Sequence, residues 1–270
     1  MRYKLAIFAF FLTGFLNGVI PELSIYSQNE EEYIEKSHPK TSVDDPEVLK
    51  KIKSYLLPDD HYSAGILKII FSKRGVLSSV KALEKAGFEF ICHRQGRGLL
   101  VVRHPLLKGY LLKIYLDIEK HSEWVRWARR VRGARFMQAV LDKNTKFSKY
   151  FKVPKKWIYI LPKKKRGKGD FPRESVLLIE DMKLVDKQTT RELYKVLWSY
   201  DRLEALYVII KKCGFSDGHI DNLPFSKDHR IAFIDTEYTN KSSVHFEWLT
   251  KWFSASKQRY WEALIEQGGP

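Results

Sequence analysis

Cysteine is nearly missing from this chain: 270 residues contain Cys92 and Cys213 and no others. A disulfide framework is therefore excluded as the source of stability, and no Cys/His cluster has the spacing of a zinc site. Both cysteines stand in apolar surroundings, which predicts two buried thiols rather than a bridge. Negative charge is in short supply, with 32 Asp and Glu against 48 Lys and Arg, a formal net charge of +16. Such a chain attracts anions: nucleotide, nucleic acid, phospholipid or an acidic protein, and charge alone does not choose among them. Long apolar runs are also absent. The run Leu5–Leu16, interrupted by Thr13, falls short of the roughly 20 residues that span a bilayer. Internal repeats are not evident. What is present is enough apolar material, 44% hydrophobic and 14% aromatic, to fill the core of one large domain or of two lobes sharing a cleft. Wholesale disorder is excluded on the same ground.

Residues 1–20 read as an export signal: Arg2 and Lys4 form a basic start, an apolar stretch follows, and Gly18 lies near a plausible cut before Pro21. An uncleaved anchor and a buried first helix are the alternatives. The expected location is thus exported, whether periplasmic, secreted or envelope-associated. Residues 21–46 are polar and proline-punctuated, the composition of a flexible linker. Asp45 and Pro46 then form a cap and a first helical position ahead of Val48–Leu57.

The ordered body alternates between two periods. Helical spacing marks Val76–Ala86, with Gly87 as its stop. Strands are predicted at Phe88–His93, Leu99–Arg103 and Tyr110–Tyr115, joined by glycine turns that include Gly96, Gly98 and Gly109. Glu123–Leu141 reads as a long helix through Trp124, Trp127, Val131, Phe136 and Val140. Two further strands, Phe151–Leu161 and Ser175–Met182, flank the basic turn Lys163–Gly169, which suits solvent or an anionic membrane surface. Helices are predicted over Thr190–Tyr200, Arg202–Lys212 and Val244–Ile265. The fold class is α+β.

Chemistry concentrates in Phe215-Ser-Asp217-Gly-His219-Ile-Asp221-Asn222, followed by the apolar run Ile231–Ile234 that ends on Asp235-Thr-Glu237. A hard divalent cation such as Mg²⁺ takes oxygen ligands, usually one or two carboxylates, and leaves room for phosphate and water. Lys113 lies inside an apolar strand, where a buried ammonium needs an anion; an edge lysine that snorkels to solvent is the other reading. The bland reading of the aspartates is of ordinary loop residues around a buried strand.

These residues resemble the protein-kinase-like fold, closest to its aminoglycoside phosphotransferase and choline kinase branch, whose loop H-G-D-x-H-x-x-N precedes a strand ending I-D-x-E. The resemblance implies two lobes: an antiparallel-sheet N-lobe with a helical extension (residues 47–182) and a reduced, mostly helical C-lobe (residues 183–270). It implies Asp217 as catalytic residue, Asn222 and Asp235 as holders of Mg²⁺, and Gly96, Gly98, Lys113, Glu180 and Met182 as contacts for ATP. The implied activity is Mg-ATP-dependent transfer to a hydroxyl acceptor, with nucleic acid disfavoured as a partner. The chain also departs from the pattern. Phe215 and Ser216 replace the leading histidine and glycine, a third loop glycine is missing, and no A-P-E signature follows Asp235. The long helix offers Arg126, Arg129, Arg130, Arg132, Arg135 and Gln138 where the family has a glutamate to pair with the strand lysine. Glu119 and Glu123, at the helix entry, are the remaining acids. A non-catalytic binding module and a basic envelope-surface protein are therefore carried beside the enzyme reading. The arginine row is expected to be either a solvated face, the favoured reading, or an anion-binding surface.

Overall fold

The computed structural model describes residues 41–94, 98–116, 123–163 and 173–270. The signal and most of the linker expected at the amino terminus, together with Gly96, Glu119 and most of the basic turn after Lys163, lie outside them. Residues 41–43 are tied to the body. Val43 is fully buried, its N–H donates to Glu174 Oε2 (2.7 Å), and the Thr41 carbonyl accepts from Trp124 Nε1 (2.9 Å). Asp45 caps α1 (Pro46–Ile52) by accepting from Glu47 N at 2.8 Å. Proline opens that helix without cost, because the first turn has no use for its N–H. His61 caps α2 (Tyr62–Ile70), and Ser79 caps α3 (Val80–Lys85).

Three strands follow, β1 (Glu89–Arg94), β2 (Leu99–Arg103) and β3 (Tyr110–Tyr115), then the long helix α4 (Glu123–Lys143). After β4 (Phe151–Lys152), strands β5 (Lys156–Ile160) and β6 (Ser175–Glu180) complete an antiparallel five-stranded sheet in the order β1-β2-β3-β6-β5. β3 is thus the central strand, with Lys113 opposite Val101 on one side and Leu177 on the other. This overturns the edge-lysine alternative. Strand alternation then decides which side chains meet. Leu112, Ile114, Val176 and Leu178 point to a core shared with Leu67 of α2 and Leu83 of α3. Lys113 and Tyr115 take the other face, where Tyr115 stacks on Trp127 of α4 at 4.7 Å.

The carboxy-terminal part is mostly helical. It holds α5 (Lys187–Val196), α6 (Tyr200–Cys213), a single 3-10 turn Ile220–Asn222, strand β7 (Ile231–Ala232), a 3-10 segment Phe246–Trp252 and α7 (Ala255–Gln267). Its core gathers Tyr194, Leu203, Leu206, Phe215, Phe225, Phe233 and Trp261 around Met137 and Leu141. Helix α4 therefore serves both halves, its first turns lying on the sheet and its last turns in the helical core.

Two expected elements are split. The strand over Phe151–Leu161 breaks around Pro154, which has no N–H to give a ladder; β4 leaves to pair in parallel with β7, and only β5 joins the sheet. The helix over Val244–Ile265 breaks at Ser254, whose extended backbone is the N-cap of α7. Both cysteines are free. Cys213 is buried, and burial pushes its thiol pKa up to about 12, whereas Cys92, beside a bulge in β1, is only half-buried. Among the described residues, no helix is long and apolar enough to cross a membrane.

Candidate functional site

On the α4 side of the sheet, β3 contributes Lys113 and β5 contributes Lys156, 7% and 3% exposed respectively. From α4 comes Arg130, 3% exposed, one turn beyond Arg126 and Trp127. The segment after β7 brings Asp235, Thr236 and Glu237 to the same place. Asp235 Oδ2 lies 3.4 Å from Lys113 Nζ, and Asp235 Oδ1 lies 3.0 Å from Arg130 Nε. The other arm of Arg130 reaches Glu237 Oε2 at 2.5 Å. Lys156 Nζ donates to the Ile234 carbonyl (3.1 Å) and to Thr236 Oγ1 (2.7 Å), and Thr236 Oγ1 in turn donates to the Arg130 carbonyl (2.6 Å).

The electrostatics follow from this packing. Burial raises the proton affinity of Asp235, but Lys113, Arg130 and Lys156 outweigh it and hold the carboxyl far below the ordinary range. Burial pulls Lys113 down; Asp235 opposes this and Arg130 reinforces it. Lys156 is driven well below the usual lysine value by burial and then by Lys113. Burial also works against the Arg130 cation, yet Asp235 and Glu237 more than offset it. With Arg130 and Lys113 charged against two carboxylates, the cluster is neutral if Lys156 is deprotonated and +1 if it is not.

Helix α4 comes this close because of Gly133. A Cβ on Gly133 would stand 1.9 Å from the Thr236 carbonyl oxygen and 3.0 Å from Thr239 Oγ1. No side chain is compatible with that approach as it stands.

A second group lies alongside. Asn222 Nδ2 donates to the Asp217 carbonyl (3.0 Å) and to Asp217 Oδ2 (2.8 Å), while His219 Nε2 is 3.4 Å from Asp217 Oδ1. The Asp217 side chain is 31% exposed. Two backbone bonds bind this loop to the Asp235 segment: Ile234 N donates to the Asn222 carbonyl (3.1 Å), and Ser216 N to that of Tyr238 (3.2 Å). Tyr238 lies within electrostatic reach of Glu237, Arg130 and Asp217.

Of the residues singled out from sequence, Lys113 and Asp235 meet directly, and Asp217 and Asn222 meet directly. Gly98 holds a positive φ of 56° at the entrance to β2, and its carbonyl accepts from Leu116 N. Glu180 ends β6, three positions beyond the residue opposite Lys113, about 10 Å along the strand. The Met182 carbonyl is taken by Lys152 Nζ at 3.0 Å.

Glu123 does not serve Lys113. Its Oε1 accepts from the N–H groups of Glu174 and Ser175 and from Ser175 Oγ, while Oε2 has no hydrogen-bond partner among the described residues. Burial prevails over these hydrogen bonds and pushes the Glu123 pKa up to about 7. A carboxyl whose folded pKa is raised contributes stability that is complete below its unfolded pKa and is lost as pH rises through the folded value. Wild type should therefore lose up to roughly 3 kcal/mol of stability between about pH 4.5 and 7 through this group. Glu123→Gln keeps an acceptor at Oε1 and should flatten that loss, as read from urea denaturation at pH 5 and pH 8. An identical pH dependence in both proteins would contradict the assignment.

No protein-family model matches the chain, and a search of curated proteins returns no relative. Arg130 and Lys156 are the residues that sequence reasoning missed. Lys156 carries the same signal that singled out Lys113, a lysine in an apolar strand. Arg130 sits in a row whose favoured reading is a solvated face, yet its spacing from Trp127 and Ala134 puts it on the buried stripe of α4.

The residues present do not fit Mg²⁺ as the family pattern requires. Each Asp235 oxygen already faces a cation, and the cluster of Lys113, Arg130, Lys156, Asp235 and Glu237 is itself neutral or positive. Mg²⁺ takes only one or two carboxylates from a protein, and here the Asp235 carboxylate is already bridged by two cations. Among the described residues no group of three or more His, Cys, Asp or Glu is placed to hold a metal.

Proposed function

We propose that the chain is a two-lobed, kinase-like protein that binds the phosphates of a nucleotide such as ATP, as a binding module rather than a metal-dependent phosphotransferase. The observation that carries the reading is the meeting of Lys113, from the central strand, with Asp235, 3.4 Å away and far along the chain. Beside it stands the Asp217–Asn222 pair. An ammonium and a guanidinium held in low-dielectric surroundings recognise phosphate oxygens strongly. The residues between Lys113 and Glu180 provide a span along β3 and β6 suited to the rest of a nucleotide.

Thermal-shift titration of the full chain with ATP tests this. Saturation to about 100 times the dissociation constant should stabilise the protein by about 2.7 kcal/mol. Lys113→Met should abolish the shift while remaining folded, since it removes a buried ammonium whose charge is already disfavoured. No shift with ATP in any buffer would end the reading.

The exposed Asp217 carboxylate, oriented by Asn222 and His219, favours a second reading, transfer to a hydroxyl acceptor. Loss of the ATP γ-phosphate that depends on Asp217, and disappears in Asp217→Asn, would establish that reading in place of the first.

A further inference from the structure

Arg130 stands where a metal's charge would be needed. It bridges Asp235 and Glu237 at 3.0 and 2.5 Å, is buried to 3% exposure, and cannot lose its proton within a protein. Lys113 is the looser member, at 3.4 Å from Asp235. The side chains of Lys113 and Asp235 are also the more open ones, 9% and 14% exposed against 4% for Arg130. An anion arriving at this opening meets Lys113 first and can draw it from Asp235, which keeps its bond to Arg130.

Building on the nucleotide reading, we infer that Arg130 is a built-in replacement for the divalent cation, so that the site binds the polyphosphate of a nucleotide without metal. The neutral or positive cluster gains from an added anion, whereas a free cation gains nothing from an aspartate already shared by Lys113 and Arg130. Lys156, locked on the Ile234 carbonyl and Thr236, fixes the Asp235 segment in place.

Calorimetric titration of the full chain with ATP, in EDTA and in excess Mg²⁺, decides the matter. The affinities should agree within about threefold, less than one charge-assisted hydrogen bond is worth. Tripolyphosphate in EDTA should displace ATP, because the phosphates are what the cluster holds. Arg130→Gln should weaken ATP binding by about tenfold or more in both buffers, and Arg130→Lys, which keeps the charge, should restore part of it. Circular dichroism on each variant separates loss of binding from loss of fold, and the wild-type comparison stands even where a variant unfolds. Binding that appears only with Mg²⁺ would overturn the metal-free inference while leaving the nucleotide reading intact. Failure of tripolyphosphate to compete would overturn it too. No ATP binding in either buffer would bring down the nucleotide reading itself, and this inference with it.

Discussion

Replacing Gly133 with alanine should destabilise the protein by about 2 kcal/mol or more, although alanine is the better helix former by about 1 kcal/mol. The added methyl would lie 1.9 Å from the Thr236 carbonyl oxygen, well inside contact distance, and its other neighbour, Thr239 Oγ1, is at 3.0 Å. Neither partner is free to yield. Thr236 is held by its hydroxyl bond to the Arg130 carbonyl and by Lys156, and Arg130 anchors α4 to Asp235 and Glu237 one turn away. Relief of the clash must therefore part α4 from the Asp235 segment and pull the charge cluster open. Gly65, in α2, provides the control: nothing lies within 4 Å of its would-be Cβ, so Gly65→Ala should stabilise by about 0.5–1 kcal/mol. Urea denaturation of both variants reads the two signs. Equal effects would mean that α4 and the Asp235 segment are not in contact.

Asp235→Asn should cost about 3–5 kcal/mol, the usual penalty for breaking a buried ion pair from one side. Among the described residues, an amide leaves Arg130 and Lys113 with Glu237 as their nearby carboxylate. The double variant Asp235→Asn with Lys113→Met restores charge balance, since Arg130 then faces Glu237, and should recover about 1 kcal/mol or more of the single variant's loss. The pH dependence carries the same signature. Asp235 has a folded pKa below its unfolded one, so its stabilisation is present above about pH 4 and is lost as pH falls below that. Wild type should lose more stability than Asp235→Asn on acidification from pH 5 to pH 3. Parallel acid denaturation of the two proteins would contradict a cation-held Asp235.

How much of this was legible in the residues can be judged element by element. Strands β2 and β3 fall where their apolar runs and turn glycines put them, because each is bounded by residues that stop a ladder. The α+β class and the long helix followed from plain periodicity. Pro154 and Ser254 were visible as breakers, yet the apolar runs across them masked the breaks; tertiary pairing of β4 with β7 decided the first. Within the site, Lys113 and Asp235 were legible as charges in or at the end of apolar runs, whereas Asp217 and Asn222, ordinary loop residues, were legible only through the spacing that resembles the kinase-like loop. Arg130 was not, since an arginine among arginines carries no local anomaly and only its helical phase betrays it. The consequence is larger than one residue: on the proposed reading, Arg130 turns a cluster suited to Mg²⁺ into one suited to phosphate. Lys156 was hidden differently, because it follows Pro154 and Lys155 at the start of its strand, where a lysine looks solvated. No pattern in the chain announced that α4 would approach Thr236 through Gly133, a contact set by packing between distant segments.

The most direct test of a self-neutralised Asp235 needs no nucleotide. Titrating the full chain with Mn²⁺ and following the free ion by electron paramagnetic resonance asks whether this aspartate is open to a cation. A cluster whose carboxylates are already claimed by Arg130 and Lys113 should leave the free-ion signal undiminished by one equivalent of protein. Stoichiometric loss of that signal, abolished in a folded Asp235→Asn variant, would contradict it.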